Sequence, residues 1–228
     1  EGINNFDSIL SVSDGIMIAR GDLGVEIPIS QVPKLQKQMI RKCYTSGKPS
    51  VTATQMLESM IVNPRPTRAE VSDVANAIYD STTMVMLSGE TAIGKYPIKT
   101  VEVMKSIIKE SESDIDYRQR FFLRSQREFQ DIPSSVTLAM ISTGFSSNAK
   151  AIIALTNSGR TARLASSFRP GIPVIASTSN KKTYNQLASN WGVTPFLTET
   201  STNVEDAYNC ISEQLLKDKH VNFGDLVV

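Results

Sequence analysis

Gly15-Ile16-Met17-Ile18-Ala19-Arg20-Gly21-Asp22-Leu23-Gly24 joins a short apolar, β-branched run to an abrupt charged turn flanked by glycines. Such a run reads as a buried parallel strand opening at its C-terminal end. In barrels and open α/β sheets, that end is where ligands and catalytic groups gather. Asp22 supplies a hard oxygen ligand and Arg20 a fixed positive charge, while Gly21 and Gly24 let the backbone approach a ligand closely. The expectation from this stretch alone is metal-assisted chemistry on an anionic substrate.

Outward from it, short apolar runs alternate with helical segments. Residues 31–46 read as a helix ended by Gly47, and residues 49–54 as a second strand. After the loop Asn63-Pro64-Arg65-Pro66, Thr67 and Glu70 carry the capping-box spacing that starts a helix. Residues 83–87 read as a third strand, and Tyr96-Pro97 leads into a helix running to about residue 113. Three successive βα units imply parallel strands with crossover helices, in part of a (β/α)8 barrel or a doubly wound sheet. All three strands end in polar loops, which favours the barrel.

Residues 114–130, rich in Arg, Gln and Phe, read as a connecting helix. A second alternating block follows, with helices over 134–147, 160–168, 181–190 and 203–217 and strands over 151–155, 173–176 and 193–196. The division expected is therefore 1–113 and 114–228. The terminal Asp225-Leu226-Val227-Val228 reads as a strand cut short, and the chain opens on Glu1-Gly2 without methionine. Both ends suggest a piece of a longer protein.

A length of 228 residues suits two small domains, and a 40% hydrophobic content is enough for buried cores. With 24 Lys+Arg against 23 Asp+Glu, no nucleic-acid footprint or basic membrane patch is implied. No apolar run reaches membrane-spanning length, and no signal-like segment is present. Cys43 and Cys210 lack any paired-ligand spacing and read as two buried thiols in a reducing compartment. His220, in the charged run Lys217-Asp218-Lys219-His220, reads as a solvated helix-end residue.

The strand ends Ala19–Gly24, Val51–Met60 and Met86–Ala92, with Arg65–Ala77 between them, form a set. In this order and spacing the set resembles the pyruvate kinase family, and the similarity runs the whole length, more loosely after residue 114. The resemblance implies the last portion of a TIM (β/α)8 catalytic barrel over 1–113, followed by the family's C-terminal α/β domain, regulatory and oligomerising, over 114–228. It implies a glycolytic, cytoplasmic phosphotransferase that moves the phosphoryl group of phosphoenolpyruvate to ADP, giving pyruvate and ATP. Mg²⁺ (or Mn²⁺), usually K⁺, and a homotetramer of the full-length protein come with it.

Phosphoryl transfer needs positioning and charge neutralisation more than covalent help. By resemblance, Asp22 is the metal-ligating aspartate, the backbone at Gly21 and Asp22 holds the substrate carboxylate, and Thr54 is the substrate-contacting threonine. The Thr54 hydroxyl would lie near the enolate carbon that is protonated, as a relay to water. Each has a plainer reading: Asp22 as the cap of its turn, Thr54 as a structural hydroxyl. Glu70 is explained by its capping box, Asp73 has no assigned role, and Ser88-Gly89-Glu90-Thr91 resembles a family loop near the nucleotide and the domain interface, expected to support the site without touching substrate.

In the second block, Thr156-Asn157-Ser158-Gly159-Arg160-Thr161 resembles the family's effector loop for a sugar phosphate. It reads equally as an ordinary capped βα loop.

The family's catalytic lysine and its second metal-binding glutamate stand on the strand just before position 1. The expectation is that these 228 residues alone are inactive, since Asp22 by itself is a poor Mg²⁺ site. Two other readings are a non-catalytic effector-binding or oligomerisation fragment of the same enzyme, and another metal-dependent barrel enzyme using phosphoenolpyruvate.

Overall fold

A computed structural model describes residues 1–125, 131–198 and 203–228. The chain divides into two units, Glu1–Ile115 and Asp116–Val228.

In the first unit the order is α1 (Phe6–Val12), β1 (Ile16–Ala19), α2 (Arg20–Glu26), a 3₁₀ turn (Ile29–Gln31), α3 (Val32–Thr45) and β2 (Ser50–Ala53). A second 3₁₀ turn (Glu58–Ile61), α4 (Arg68–Tyr79), β3 (Met84–Val85), α5 (Gly89–Ala92) and α6 (Pro97–Ser113) follow. The three strands are parallel in the order β1-β2-β3, with Ile16 opposite Ser50 and Ala19 opposite Ala53. Strands β1 and β2 thus end level, and the segments that follow them emerge side by side.

Helix α3 shows why this sequence folds as it does. Gln36, Met39, Ile40 and Cys43 recur at helical spacing and are buried, while Lys34, Lys37 and Arg41 face solvent. That face joins Phe6, Leu10 and Ile18 in one core cluster; Met56, Leu57, Met60, Val74, Ala77 and Met104 form another. Burial pushes the Cys43 thiol up to about 11, against a smaller opposing effect of Lys48. It is an unreactive thiol near neutral pH.

Three expectations for this unit are corrected. The charged turn after β1 is the first turn of α2 rather than a loop. Strand β3 pairs over two residues, not five. Met17 is 55% exposed rather than buried, because β1 pairs with β2 alone among the described residues. Its side chain lies on the wall of an apolar cleft of about 570 Å³ shared with Phe6, Ile9 and Ile27.

The second unit runs α7 (Tyr117–Ser125), α8 (Ile132–Ser146), β4 (Ile152–Leu155), α9 (Arg160–Ser167), β5 (Val174–Thr178), α10 (Lys181–Leu187), β6 (Val193–Leu197) and α11 (Val204–Lys217). The parallel sheet β4-β5-β6 has a wholly buried central strand. Val227 bridges Ala151 in parallel at the β4 side, where a terminal strand was expected.

The segment expected as a connector contributes to this core instead. Phe121 is buried, its ring 5.3 Å from Phe145 and 6.3 Å from Phe168. The expected helix beyond residue 125 lies outside the described residues. Cys210 is exposed, not buried: on α11 the inward residues are Ile211 and Leu215, and one position earlier turns about 100° away.

Candidate functional site

The C-terminal ends of β1 and β2 bring together Gly21, Asp22 and Thr54. Helix α2 starts without a side-chain cap of its own, leaving its first amides in need of acceptors. The neighbouring strand end supplies one. Gly21 N–H donates to Thr54 Oγ1 at 2.8 Å, and the Thr54 hydroxyl donates to the Ala53 carbonyl at 2.7 Å. Thr54 is therefore an N-cap delivered from another strand. Its φ of 67°, followed by 53° at Gln55, lies in the left-handed region that a β-branched residue seldom enters.

Gly21 is not a glycine for packing reasons. A Cβ there would stand 3.5 Å from Thr54 Oγ1, an ordinary contact, in the space before that hydroxyl. Gly24, expected to face a ligand, instead packs against Ile29, whose Cδ1 would lie 3.0 Å from an added Cβ.

Asp22 is exposed in the first turn of α2 and makes no hydrogen bond or ion pair among the described residues. It caps nothing, so the plainer reading of this residue fails. A carboxylate at that position is favoured by the helix dipole. Among the described residues, no three His, Cys, Asp or Glu side chains form a group able to hold a metal ion. Asp22 alone is no such group, and a complete Mg²⁺ site does not fit the described residues.

Arg20 departs most from expectation. Its charge is not offered to a ligand. Nε donates to Ala53 O at 3.3 Å, Nη2 to Thr54 O at 2.7 Å and to Gln55 O at 3.2 Å, and Nη1 to Asp73 Oδ2 at 2.5 Å. Asp73, which had no role in the sequence reading, is its ion-pair partner from α4. Glu90 is 3% exposed, and its two oxygens accept from Leu57 N–H at 3.1 Å and Ser88 N–H at 2.7 Å. The β2 and β3 ends are thereby tied together. Neither the Arg20–Asp73 pair nor the Leu57–Glu90 contact is visible in local spacing.

Glu70 behaves as the spacing predicts. Thr67 Oγ1 accepts from Glu70 N–H, and the Glu70 carboxylate accepts from Thr67 N–H, completing the capping box. It also accepts from the Ser59 amide and hydroxyl. Burial alone would raise the Glu70 pKa, but the Ser59 and Thr67 hydrogen bonds outweigh it and hold the carboxyl below its ordinary value. A lowered folded pKa means stability present above the unfolded value and lost as pH falls through the folded one. Glu70→Gln is expected to destabilise the unit by about 1 kcal/mol near pH 7. The difference from wild type should shrink by about pH 3, and thermal melts at the two pH values measure it.

In the second unit, the loop from Thr156 to Thr161 joins β4 to α9. Gly159 is left-handed at φ 78° and donates its N–H to Thr156 Oγ1 at 3.0 Å. Thr183 donates to the Asn157 carbonyl at 2.8 Å, and Arg163 donates to the Ser158 carbonyl at 2.6 Å. Thr156 thus closes the turn, while the side chains of Asn157, Ser158, Arg160 and Thr161 stay exposed.

The first unit is a set of consecutive βα units of a barrel with polar groups at the strand ends, and the second is a separate parallel α/β domain. The profile described as "Pyruvate kinase, barrel domain" matches residues 1–101, and "Pyruvate kinase, alpha/beta domain" matches residues 134–228. The chain belongs to the pyruvate kinase family. It is 46% identical over 228 residues to pyruvate kinases from Sporosarcina psychrophila and Clostridium acetobutylicum, covering all of this chain but 39% and 48% of those proteins. A crystal structure of a pyruvate kinase from Cryptosporidium parvum superposes with a TM-score of 0.94 at 42% identity, over 99% of this chain and 46% of that one. The chain thus spans less than half the length of these relatives. Among the described residues, no helix is long and apolar enough to cross a membrane.

Proposed function

We propose that the protein to which this chain belongs transfers the phosphoryl group of phosphoenolpyruvate to ADP in glycolysis, giving pyruvate and ATP. Gly21, Asp22 and Thr54 are read as one wall of the phosphoenolpyruvate site. The observation that carries this reading is the 2.8 Å contact between Gly21 N–H and Thr54 Oγ1 beside the unpartnered Asp22 carboxylate. The hydroxyl oxygen marks a position where the helix amide wants an acceptor. A substrate carboxylate is a stronger acceptor than a hydroxyl and would take that amide. Thr54 would then be free to turn its hydroxyl toward the ligand, near the carbon that must gain a proton when the enolate becomes pyruvate. A hydroxyl of ordinary acidity serves there as a relay to water.

Mg²⁺ (or Mn²⁺) and K⁺ are expected for the full-length enzyme from its family, as are a homotetramer and a cytoplasmic location. Asp22 is read as one ligand of the divalent ion, which needs further oxygen ligands beside it. The exposed Ser158, Arg160 and Thr161 at the start of α9, with the left-handed Gly159, support a sugar-phosphate effector for the second unit; Asn157 and Thr156 shape the loop. Calorimetric titration with sugar phosphates, with Ser158→Ala as control, reads that out.

The deciding experiment is a coupled lactate-dehydrogenase assay on both lengths of protein. The full-length protein is expected to turn over only with ADP, phosphoenolpyruvate and Mg²⁺ together. The 228-residue chain is expected to give no turnover above background. A full-length protein that consumes phosphoenolpyruvate without ADP sinks the reading. Sustained ADP-dependent turnover by the short chain sinks the inactivity claim.

A further inference from the structure

The left-handed pair Thr54-Gln55 is gripped from both sides by charged groups that the proposed reaction does not use. On one side, the Arg20 guanidinium collects the carbonyls of Ala53, Thr54 and Gln55, and Nη2 also donates to Met56 Sδ at 2.8 Å. On the other side, the buried Glu90 carboxylate takes Leu57 N–H. Asp73, about a third exposed against 10% for Arg20, pins the guanidinium at Nη1, and Gln36 Oε1 lies 3.5 Å from the same nitrogen.

Three backbone carbonyls converging on one cation suit this conformation. In extended strand, successive carbonyls point to opposite sides. The two left-handed residues turn them toward one another, and the guanidinium fork rewards that arrangement with several charge-assisted bonds. The same backbone geometry sets Thr54 Oγ1 against Gly21 N–H.

We propose that Arg20 is a positioning residue for Thr54, with Asp73 as its orienting partner and Glu90 as the counter-hold on the far side of the turn. This inference rests on the phosphoenolpyruvate reading of the Gly21–Thr54 site. It assigns the Arg20 charge to holding the hydroxyl in place instead of to neutralising substrate. Lysine keeps the charge but cannot span three carbonyls and a carboxylate, so Arg20→Lys is the diagnostic change.

The test uses the full-length enzyme with three variants: Arg20→Lys, Asp73→Ala and Asp73→Asn. The readouts are kcat per active enzyme, KM for ADP, and the rate at which the pyruvate methyl group takes up deuterium from solvent, followed by proton NMR. Arg20→Lys is expected to lower kcat and methyl exchange together by about 100-fold, the scale of a small misplacement of a reacting group. Its KM for ADP should stay within about twofold, since no group on this turn is read as holding the nucleotide.

Asp73→Ala should fall by about 10-fold, and Asp73→Asn should recover most of that loss, because an amide oxygen still accepts from Nη1. These milder variants keep the test open if Arg20→Lys does not fold. Hydrogen exchange adds a structural readout: the Gly21 amide should exchange at least about 10-fold faster in Asp73→Ala, with strand amides of β2 unchanged. Wild-type kcat and methyl exchange in the folded variants would overturn the positioning role. So would a loss of activity accounted for wholly by a smaller folded fraction. A wild-type enzyme with no ADP-dependent turnover overturns the functional reading itself, a different result from either.

Discussion

Asp22→Asn in the full-length enzyme is expected to cut kcat/KM for phosphoenolpyruvate by about 100- to 1,000-fold, or roughly 3–4 kcal/mol of transition-state stabilisation. The side chain is exposed, caps nothing, and makes no hydrogen bond or ion pair among the described residues. The fold therefore loses little: a weaker charge–dipole interaction in the first turn of α2, a few tenths of a kcal/mol. A melting temperature within about 2 °C of wild type should accompany the lost activity. On the proposed reading of Asp22 as a ligand of the divalent ion, the Mg²⁺ concentration for half-maximal rate should rise, because an anionic oxygen has become a neutral amide. Comparable losses of stability and activity would mean that the carboxylate is structural. Unchanged kcat/KM would remove Asp22 from the site.

The contrast between Asp22 and Arg20 shows what a sequence can and cannot reveal here. Both stand in the stretch that first suggested a ligand site. The strand follows from periodicity, and Asp22 stands out as a candidate ligand from its place between glycines at the strand end; the level end with β2 comes only from the pairing. What Arg20 does depends on Asp73, 53 positions away, and on three backbone carbonyls whose orientation is set by two left-handed residues. Thr has poor propensity for that conformation, so local preference argues against the geometry that the tertiary contacts impose. The capping box at Thr67 and Glu70 was legible for the opposite reason: both partners sit within one turn, and the spacing is the structure.

Burial divides along the same line. Helical spacing marked α3 as a helix, and its inward face follows from that one element. Met17 was misjudged because its exposure depends on what lies opposite it, and Cys210 because residue type alone does not say which face of α11 it occupies. The ring of Phe121 shows the converse: a segment that looked like a linker supplies part of a core once Phe145 and Phe168 are in place. The family resemblance was readable at the strand ends because several chemical motifs recur there in fixed order. The contacts that Arg20, Asp73 and Glu90 make inside those motifs were not.

The second large effect concerns the loop before α9. Gly159→Ala is expected to destabilise the second unit by about 2–5 kcal/mol. Alanine in the left-handed region costs about 1–2 kcal/mol, and φ at this position is 78°. Its Cβ would also stand 2.8 Å from Arg163 Nη1, 3.0 Å from Thr183 Cγ2 and 3.2 Å from Leu187 Cδ2. Arg163 is a flexible side chain, but moving it gives up the bond to the Ser158 carbonyl; Thr183 is held by its own bond to the Asn157 carbonyl. Such crowding adds about 1–3 kcal/mol, and on a unit of this size the sum corresponds to a fall of roughly 10–20 °C in the melting transition. Thr156→Ala provides the comparison: it removes the hydroxyl that receives Gly159 N–H, costing about 1 kcal/mol, while leaving the left-handed glycine in place. Differential scanning calorimetry of the chain resolves the two. A Gly159→Ala transition within about 2 °C of wild type would show that the loop relaxes freely, and that the glycine is there for a ligand instead of for the turn.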